Sequence, residues 1–206
     1  MSGKKFVIAG IGTDVGKTIA AAVLCEALKA DYWKPVQAGK LFDKDSDRIL
    51  KLTEGKIKVH PEAYPMQFAM SPYASAKREG IEIDVNKIVP PQTDNTLFVE
   101  LAGGIMVPLT KDLMMIDLLV KWNYPVILIS KNYVGNINHT LLTCIALKNR
   151  NIPLAGIIFN GDINEDSETI IIQHSGAKLL GHITEMKTID VASIKQQAEG
   201  FKNISL

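Results

Sequence analysis

The sequence predicts an α/β protein of three layers, αβα, with helices covering both faces of a mostly parallel central sheet. Three observations carry this. Runs such as Phe6-Val7-Ile8-Ala9-Gly10, Thr96-Leu97-Phe98-Val99-Glu100 and Pro125-Val126-Ile127-Leu128-Ile129-Ser130 are apolar throughout rather than alternating, as strands buried on both faces are. They alternate with stretches of helical period. Polar residues able to do chemistry cluster just past the runs: Gly10 to Thr18, Lys34, Glu100 to Gly104, and Asn160. In open parallel sheets that is where ligands bind.

Taken in order, Phe6–Gly10 is the first strand, closed by a Gly-rich turn. Lys17 to about Lys29 is a helix, with Ile19, Val23, Leu24, Ala27 and Leu28 at helical spacing. Asp31 to Val36 reads as a second strand stopped by Pro35, and Asp45 to Thr53 as a short charged helix. Residues 55–74 carry prolines and little periodicity and read as loop; a helical piece is expected around Val85–Ile88. A strand at Thr96–Glu100 ends at Ala102-Gly103-Gly104. Then come a helix (Met114–Trp122), a strand (Pro125–Ser130), a helix (Ile137–Lys148), a strand (Leu154–Asn160) and a mainly helical Ser167–Leu180.

The bulk numbers narrow the function class. A chain of 206 residues suits one domain, 1–206, with a sizeable core. Hydrophobic residues at 47% and charged residues at 22% are ordinary for a soluble protein, and a net charge of +1 gives no broad footprint for nucleic acid or an anionic membrane. Cys25 and Cys144 sit among apolar residues, at a spacing that fits neither a zinc site nor a disulfide framework. The first apolar stretch is too short for a signal h-region or a span. The expectation is a cytoplasmic protein that binds neither nucleic acid nor membrane.

Gly10-Ile11-Gly12-Thr13-Asp14-Val15-Gly16-Lys17-Thr18 lies between a strand and a helix. Successive backbone N–H groups and a helix N-terminus make a concave anion site. Lys17 can reach terminal phosphates and the Thr18 hydroxyl a magnesium ion. The strict pattern G-x-x-x-x-G-K-[ST] wants glycine at 11, where Ile11 stands; the first glycine is displaced to Gly10.

That displaced glycine, in Gly-x-x-Thr-Asp-Val-Gly-Lys-Thr, resembles the phosphate loop of dethiobiotin synthetases. Further segments match in order: Trp33-Lys34-Pro35-Val36-Gln37-Ala38-Gly39, Ser46-Asp47, Val99-Glu100-Leu101-Ala102-Gly103-Gly104 with Val107-Pro108-Leu109, Gly135-Asn136-Ile137-Asn138-His139, and Phe159-Asn160. The resemblance implies that Lys34 and Lys17 are catalytic. It implies that ATP is held by Thr13, Asp14, Val15, Gly16, Lys17, Thr18, Ile19, Asp47, Glu100, Leu101, Ala102, Gly103, Asn160 and Gly161, with Mg2+ on Thr18, Asp47 and Glu100. It also implies that 7,8-diaminononanoate and CO2 are bound by Thr13, Lys34, Ala38, Gly135, Asn136, Ile137 and Asn138, in a homodimer whose sites are shared. The chain departs from the family at Ile11-Gly12, Ala38 and Leu101.

The residues also have readings of their own. Glu100 closes an apolar strand, where an unpaired carboxylate is costly, so a cation partner is expected. Asp47 can instead serve the dipole of its own helix, and Asn138 can cap its helix. His139 has no evident nucleophile partner and reads as structural. Two other functions fit a phosphate loop. A partition-type ATPase switch needs an early loop lysine, which is absent between Gly10 and Gly16. An amide-forming ligase of the corrinoid-synthesis type needs a glutamine-hydrolysing domain, for which the chain has no room.

Overall fold

The computed structural model describes residues 3–206. Its strands are β1 (Lys5–Gly10), β2 (Asp31–Trp33), β3 (Val36–Ala38), β4 (Val59–His60), β5 (Tyr64–Met66), β6 (Leu97–Gly104), β7 (Val126–Lys131), β8 (Leu154–Asn160) and β9 (Leu179–Ile183). Its helices are α1 (Lys17–Leu28), α2 (Asp45–Leu52), α3 (Pro72–Glu79), α4 (Met115–Trp122), α5 (Asn136–Asn149), α6 (Glu165–Ser175) and α7 (Val191–Glu199). Seven strands form one sheet in the order β4-β2-β6-β1-β7-β8-β9. Every pairing in it is parallel. β3 and β5 make a separate parallel pair. The expected α/β class with a parallel sheet is therefore present, and no described helix is long and apolar enough to cross a membrane.

The period-two alternation of the strands sorts the side chains into two cores. Phe6 and Ile8 of β1 face one way, with Tyr32, Phe98 and the buried side of α1 and α7. Val7 and Ala9 face the other way, with Leu97, Val99, Leu101, α4 and the inner residues of α5. Each large apolar side chain so buried contributes about 1.5–3 kcal/mol. α1 is apolar nearly all round because Ala20 to Leu24 are fully buried, with the sheet on one side and α7 on the other. A helix held on both sides fixes its first residues, Lys17 and Thr18, firmly.

Four expectations are corrected. Asp31–Val36 is not one strand: Pro35 lacks an N–H, the main-sheet strand stops at Trp33, and Val36–Ala38 pairs with β5 instead. The helix of this region is not at Val85–Ile88 but at α3. There Ser71 caps the N-terminus by accepting from the Ala74 N–H at 3.3 Å, Pro72 takes the first turn, and Gly80 ends the helix at φ 67°. The stretch Ser167–Leu180 divides at Gly176 (φ 64°) into α6 and β9. Finally, residues 55–74 are not loop throughout, since β4 and β5 lie there and each pairs in parallel with another strand; α7, for which there was no expectation, is capped by Asp190, whose carboxylate accepts from the Ser193 N–H at 2.9 Å.

Candidate active site

β1 ends at Gly10, and the chain turns through 11–15 into α1. Asp14 (φ 57°) and Gly16 (φ 93°) take left-handed conformations. At Gly16 that conformation and a close approach coincide, since an added Cβ would collide with the Asn160 amide. Asn160, at the end of β8, donates from Nδ2 to the Val15 carbonyl at 3.0 Å and pins the loop. No side chain caps α1, so its first N–H groups stay available to an anion. Lys17 folds back and donates to the Gly12 carbonyl at 2.7 Å. Burial pushes the Lys17 ammonium down to about 8, against the upward pull of Glu100 and helped by the nearby Lys34 charge.

Beside the loop lies a cluster of buried charge. Glu100 shares the strand parity of Phe98, so alternation turns its carboxylate toward α1. Its Oε1 accepts from Thr18 Oγ1 at 2.9 Å and from Lys34 Nζ at 3.1 Å, and its Oε2 accepts from Tyr32 Oη at 2.8 Å. Lys34, the residue just after β2, also bonds the Asp45 carboxylate at the start of α2. Glu100 is 1% exposed and Lys34 6%. A buried carboxylate left alone would cost several kcal/mol, so one ammonium between two carboxylates is what makes this cluster tenable. Burial alone would lower the Lys34 pKa, but Glu100 and Asp45 outweigh it and raise it above its ordinary value. Burial likewise pushes Asp45 up, and Lys34 more than reverses that. The expected cation partner of Glu100 is thus Lys34.

A cavity of about 760 Å³ opens over these groups, within the range of small-ligand sites. Thr13, Lys17, Thr18, Lys34, Asp45 and Glu100 line it, and Ala38 and Ala102 continue the wall. It combines a phosphate loop, two lysines and a paired set of hard oxygens. That is equipment for moving a phosphoryl group, which needs positioning and charge neutralisation rather than a side-chain nucleophile.

A family model described as an AAA domain matches residues 4–193. The chain is 49% identical over 188 residues to the ATP-dependent dethiobiotin synthetase BioD of Cytophaga hutchinsonii, covering 90% of this chain and 91% of that one. It is 44% identical to the BioD of Christiangramia forsetii, covering 97% and 96%. The chain belongs to the ATP-dependent dethiobiotin synthetase family. Among solved structures, a ParA family ATPase from Chlorobium tepidum TLS is similar with a TM-score of 0.57 at 12% identity, covering 96% of this chain and 98% of that one. The MinC:MinD cell division complex of Aquifex aeolicus gives a TM-score of 0.54 at 12% identity, covering 98% and 97%. At such identity the likeness concerns the fold alone.

For this member of the synthetase family the nucleotide is ATP. The structure gathers Thr13, Asp14, Gly16, Lys17, Thr18, Ile19, Lys34, Ala38, Glu100, Ala102 and Gly103 around one cavity. Nine of the expected residues do not line it. Asp47 accepts from the Lys44 N–H at 3.3 Å, capping its own helix. Residues two apart on a helix point about 200° apart, so when Asp45 faces the cavity Asp47 cannot. Leu101 is fully buried in the opposite core, because strand alternation sends it away from Glu100. The Val15 side chain is core as well, and Asn160 spends its amide on the Val15 carbonyl. Gly161 follows at φ 99°. Gly135, Asn136, Ile137 and Asn138 line a second cavity of about 860 Å³, which shares no lining residue with the first. Sequence reasoning missed Asp45 and Tyr32. The signal for Asp45 was its place at the first turn of α2, on the helix face opposite to Asp47; Tyr32 read only as strand core.

Proposed function

We propose that this dethiobiotin synthetase, a ligase of biotin biosynthesis, closes the ring in the cavity between the phosphate loop and α2. One amine of 7,8-diaminononanoate takes up CO2 as a carbamate. The carbamate oxygen attacks the γ-phosphorus of ATP, the bond to ADP breaks, and a carbamic-phosphoric anhydride forms. The second amine then attacks the carbamoyl carbon, the C–O bond breaks, and the ureido ring closes with release of phosphate. The supporting observation is Lys34, held between Glu100 and Asp45 beside Lys17 and Thr18. Lys17 neutralises charge on the terminal phosphates, and Lys34 neutralises charge building on the carbamate and phosphoryl oxygens.

The donor set suits magnesium. Thr18, Glu100 and Asp45 offer hard oxygens at the same wall. Thr18, Glu100 and Asp45 would hold Mg2+. The ion would supply charge neutralisation to the phosphoryl oxygens.

The carboxylate tail of the diamine belongs at the α5 N-terminus, where Gly135 (φ 104°) opens the backbone and no side chain caps the helix. Because those residues and the phosphate loop line separate cavities, we place the reaction in a homodimer, each site using α5 of the partner. Exposed Val134, just before that helix start, and exposed Leu142 and Ile145, further along α5, supply apolar surface for the contact. The two thiols, Cys25 and Cys144, are buried and unbridged, in keeping with a cytoplasmic enzyme.

Purified protein given the diamine, bicarbonate and ATP should yield dethiobiotin, ADP and phosphate in equal amounts. Lys34→Gln should abolish product while leaving ATP binding near normal. ATP turnover that ignores diamine and bicarbonate, or answers to DNA or membrane instead, would overturn this reading.

A further inference from the structure

A second group of buried and half-buried polar side chains adjoins the cavity at the α5 N-terminus, with Asn132 and Asn136 in its wall, and the chemistry above gives Glu168, Asn132 and His182 no task. Its centre is Glu168, on the first turns of α6 and only 6% exposed. Oε1 accepts from Asn132 Nδ2 at 2.6 Å and from the Asn164 N–H at 3.1 Å, and Oε2 meets His182 Nε2 of β9. Burial pushes the Glu168 pKa up, but these donors, His182 first, bring it below its ordinary value, so the group is a carboxylate. Asn132 also donates to the Asp162 carbonyl at 2.8 Å, and its Oδ1 accepts from Asn136 Nδ2 at 2.7 Å. Asn136 is the first residue of α5 and 3% exposed.

One carboxylate therefore ties four pieces of chain together: the loop after β7, the start of α5, the start of α6, and β9. Its reach extends to the nucleotide side, since His182 stacks on Phe159 with ring centroids 5.7 Å apart, and the next residue, Asn160, pins the phosphate loop. As a device for stability alone this is a poor choice, because well-packed apolar side chains serve a core as well or better than a buried charge network. A negative charge close to a helix start meant for an anion is also unfavourable unless other donors consume it. Here amide, backbone and imidazole donors do consume it, and the free N–H groups of α5 remain for a ligand.

We propose that Glu168, acting through Asn132, is a positioning residue for the diamine substrate, fixing the α5 N-terminus at the place where it receives the substrate carboxylate. The inference rests on the reading that this N-terminus holds that carboxylate. Glu168 touches no substrate. It sets the direction of the N–H groups that do, as outer groups around a ligand commonly decide how well inner ones bind.

The test compares kcat/KM for 7,8-diaminononanoate with that for a carboxyl-free vicinal diamine of matched length, in wild type, Glu168→Gln and Asn132→Ala. The wild type should prefer the acid. Each variant should lower that preference by about tenfold or more, mainly through a higher KM for the acid, while KM for ATP holds. Asn132→Ala leaves the Glu168–His182 pair in place and serves if Glu168→Gln does not fold. An unchanged preference in a folded variant would overturn the inference, and so would an equal loss for both diamines, which is what general loosening produces. A wild type with no preference for the acid would instead sink the carboxylate reading, and the inference with it.

Discussion

Lys17 holds its proton loosely because burial opposes the charge more than Glu100 supports it. With a folded pKa of about 8 against an ordinary 10.5, the native chain binds fewer protons than the unfolded chain between those values. Stability from this group therefore rises with pH through that window, and below it the buried ammonium carries its full penalty. The terminal phosphates of ATP put negative charge against the same ammonium and draw its pKa back up. At about pH 9, ATP binding should thus take up a proton, seen as a binding heat that varies with the ionisation enthalpy of the buffer. Lys17→Met should remove that uptake while the chain stays folded. The same buffer dependence in both proteins would show that another group takes the proton.

Helix α2 carries the sharpest difference between what the residues announce and what the backbone does with them. The Ser46-Asp47 pair stands out in the sequence, yet the cavity receives Asp45, three residues before Arg48 on the same face. Asp45→Asn should raise the magnesium needed for half-maximal turnover several-fold, because a carboxylate ligand becomes an amide. Asp47→Asn should leave that titration alone and cost about 0.5–1 kcal/mol of stability as a weakened helix start. Opposite results in the two titrations would restore Asp47 to the metal. The parallel sheet, the phosphate loop, Lys34 and Glu100 were legible because each depends on local pattern: an apolar run, a glycine turn, a polar residue at a run's end. Which of two nearby carboxylates faces inward depends on where the helix starts, and that is set by the packing of Ile49 and Leu52 onto α1. Short pieces held by tertiary pairing, β3 with β5 and β4 on the sheet edge, left little periodicity to read. α3 and α7 did leave cap signals, at Ser71-Pro72 with Gly80 and at Asp190 with Ser193.

At the scale of the molecule, the phosphate loop and the start of α5 line separate cavities, and the shared dimer proposed above has a distinctive consequence. Lys17→Ala disables the nucleotide half, at a cost of about 3 kcal/mol in the transition state or more. Asn138→Trp fills the carboxylate half. Each pure variant should be nearly inactive, while mixed dimers collect both lesions in one site and leave the other intact, so activity should return on subunit exchange. Mixed dimers as inactive as their parents would mean that each chain holds its substrate alone. The strand order has a further effect, on the chain as it is made. β1 has no neighbour in the sheet until Leu97 and the strand it opens have been synthesised, and its second neighbour begins only at Val126. Until then a nascent chain of this sequence carries Phe6–Ala9 and Ala20–Leu24 without the surfaces that cover them. Pairing strands so far apart in sequence is slow, and exposed apolar runs invite association in the meantime. Emergence of β6 from the ribosome, rather than completion of the phosphate loop, sets the earliest moment at which the nucleotide site can take shape.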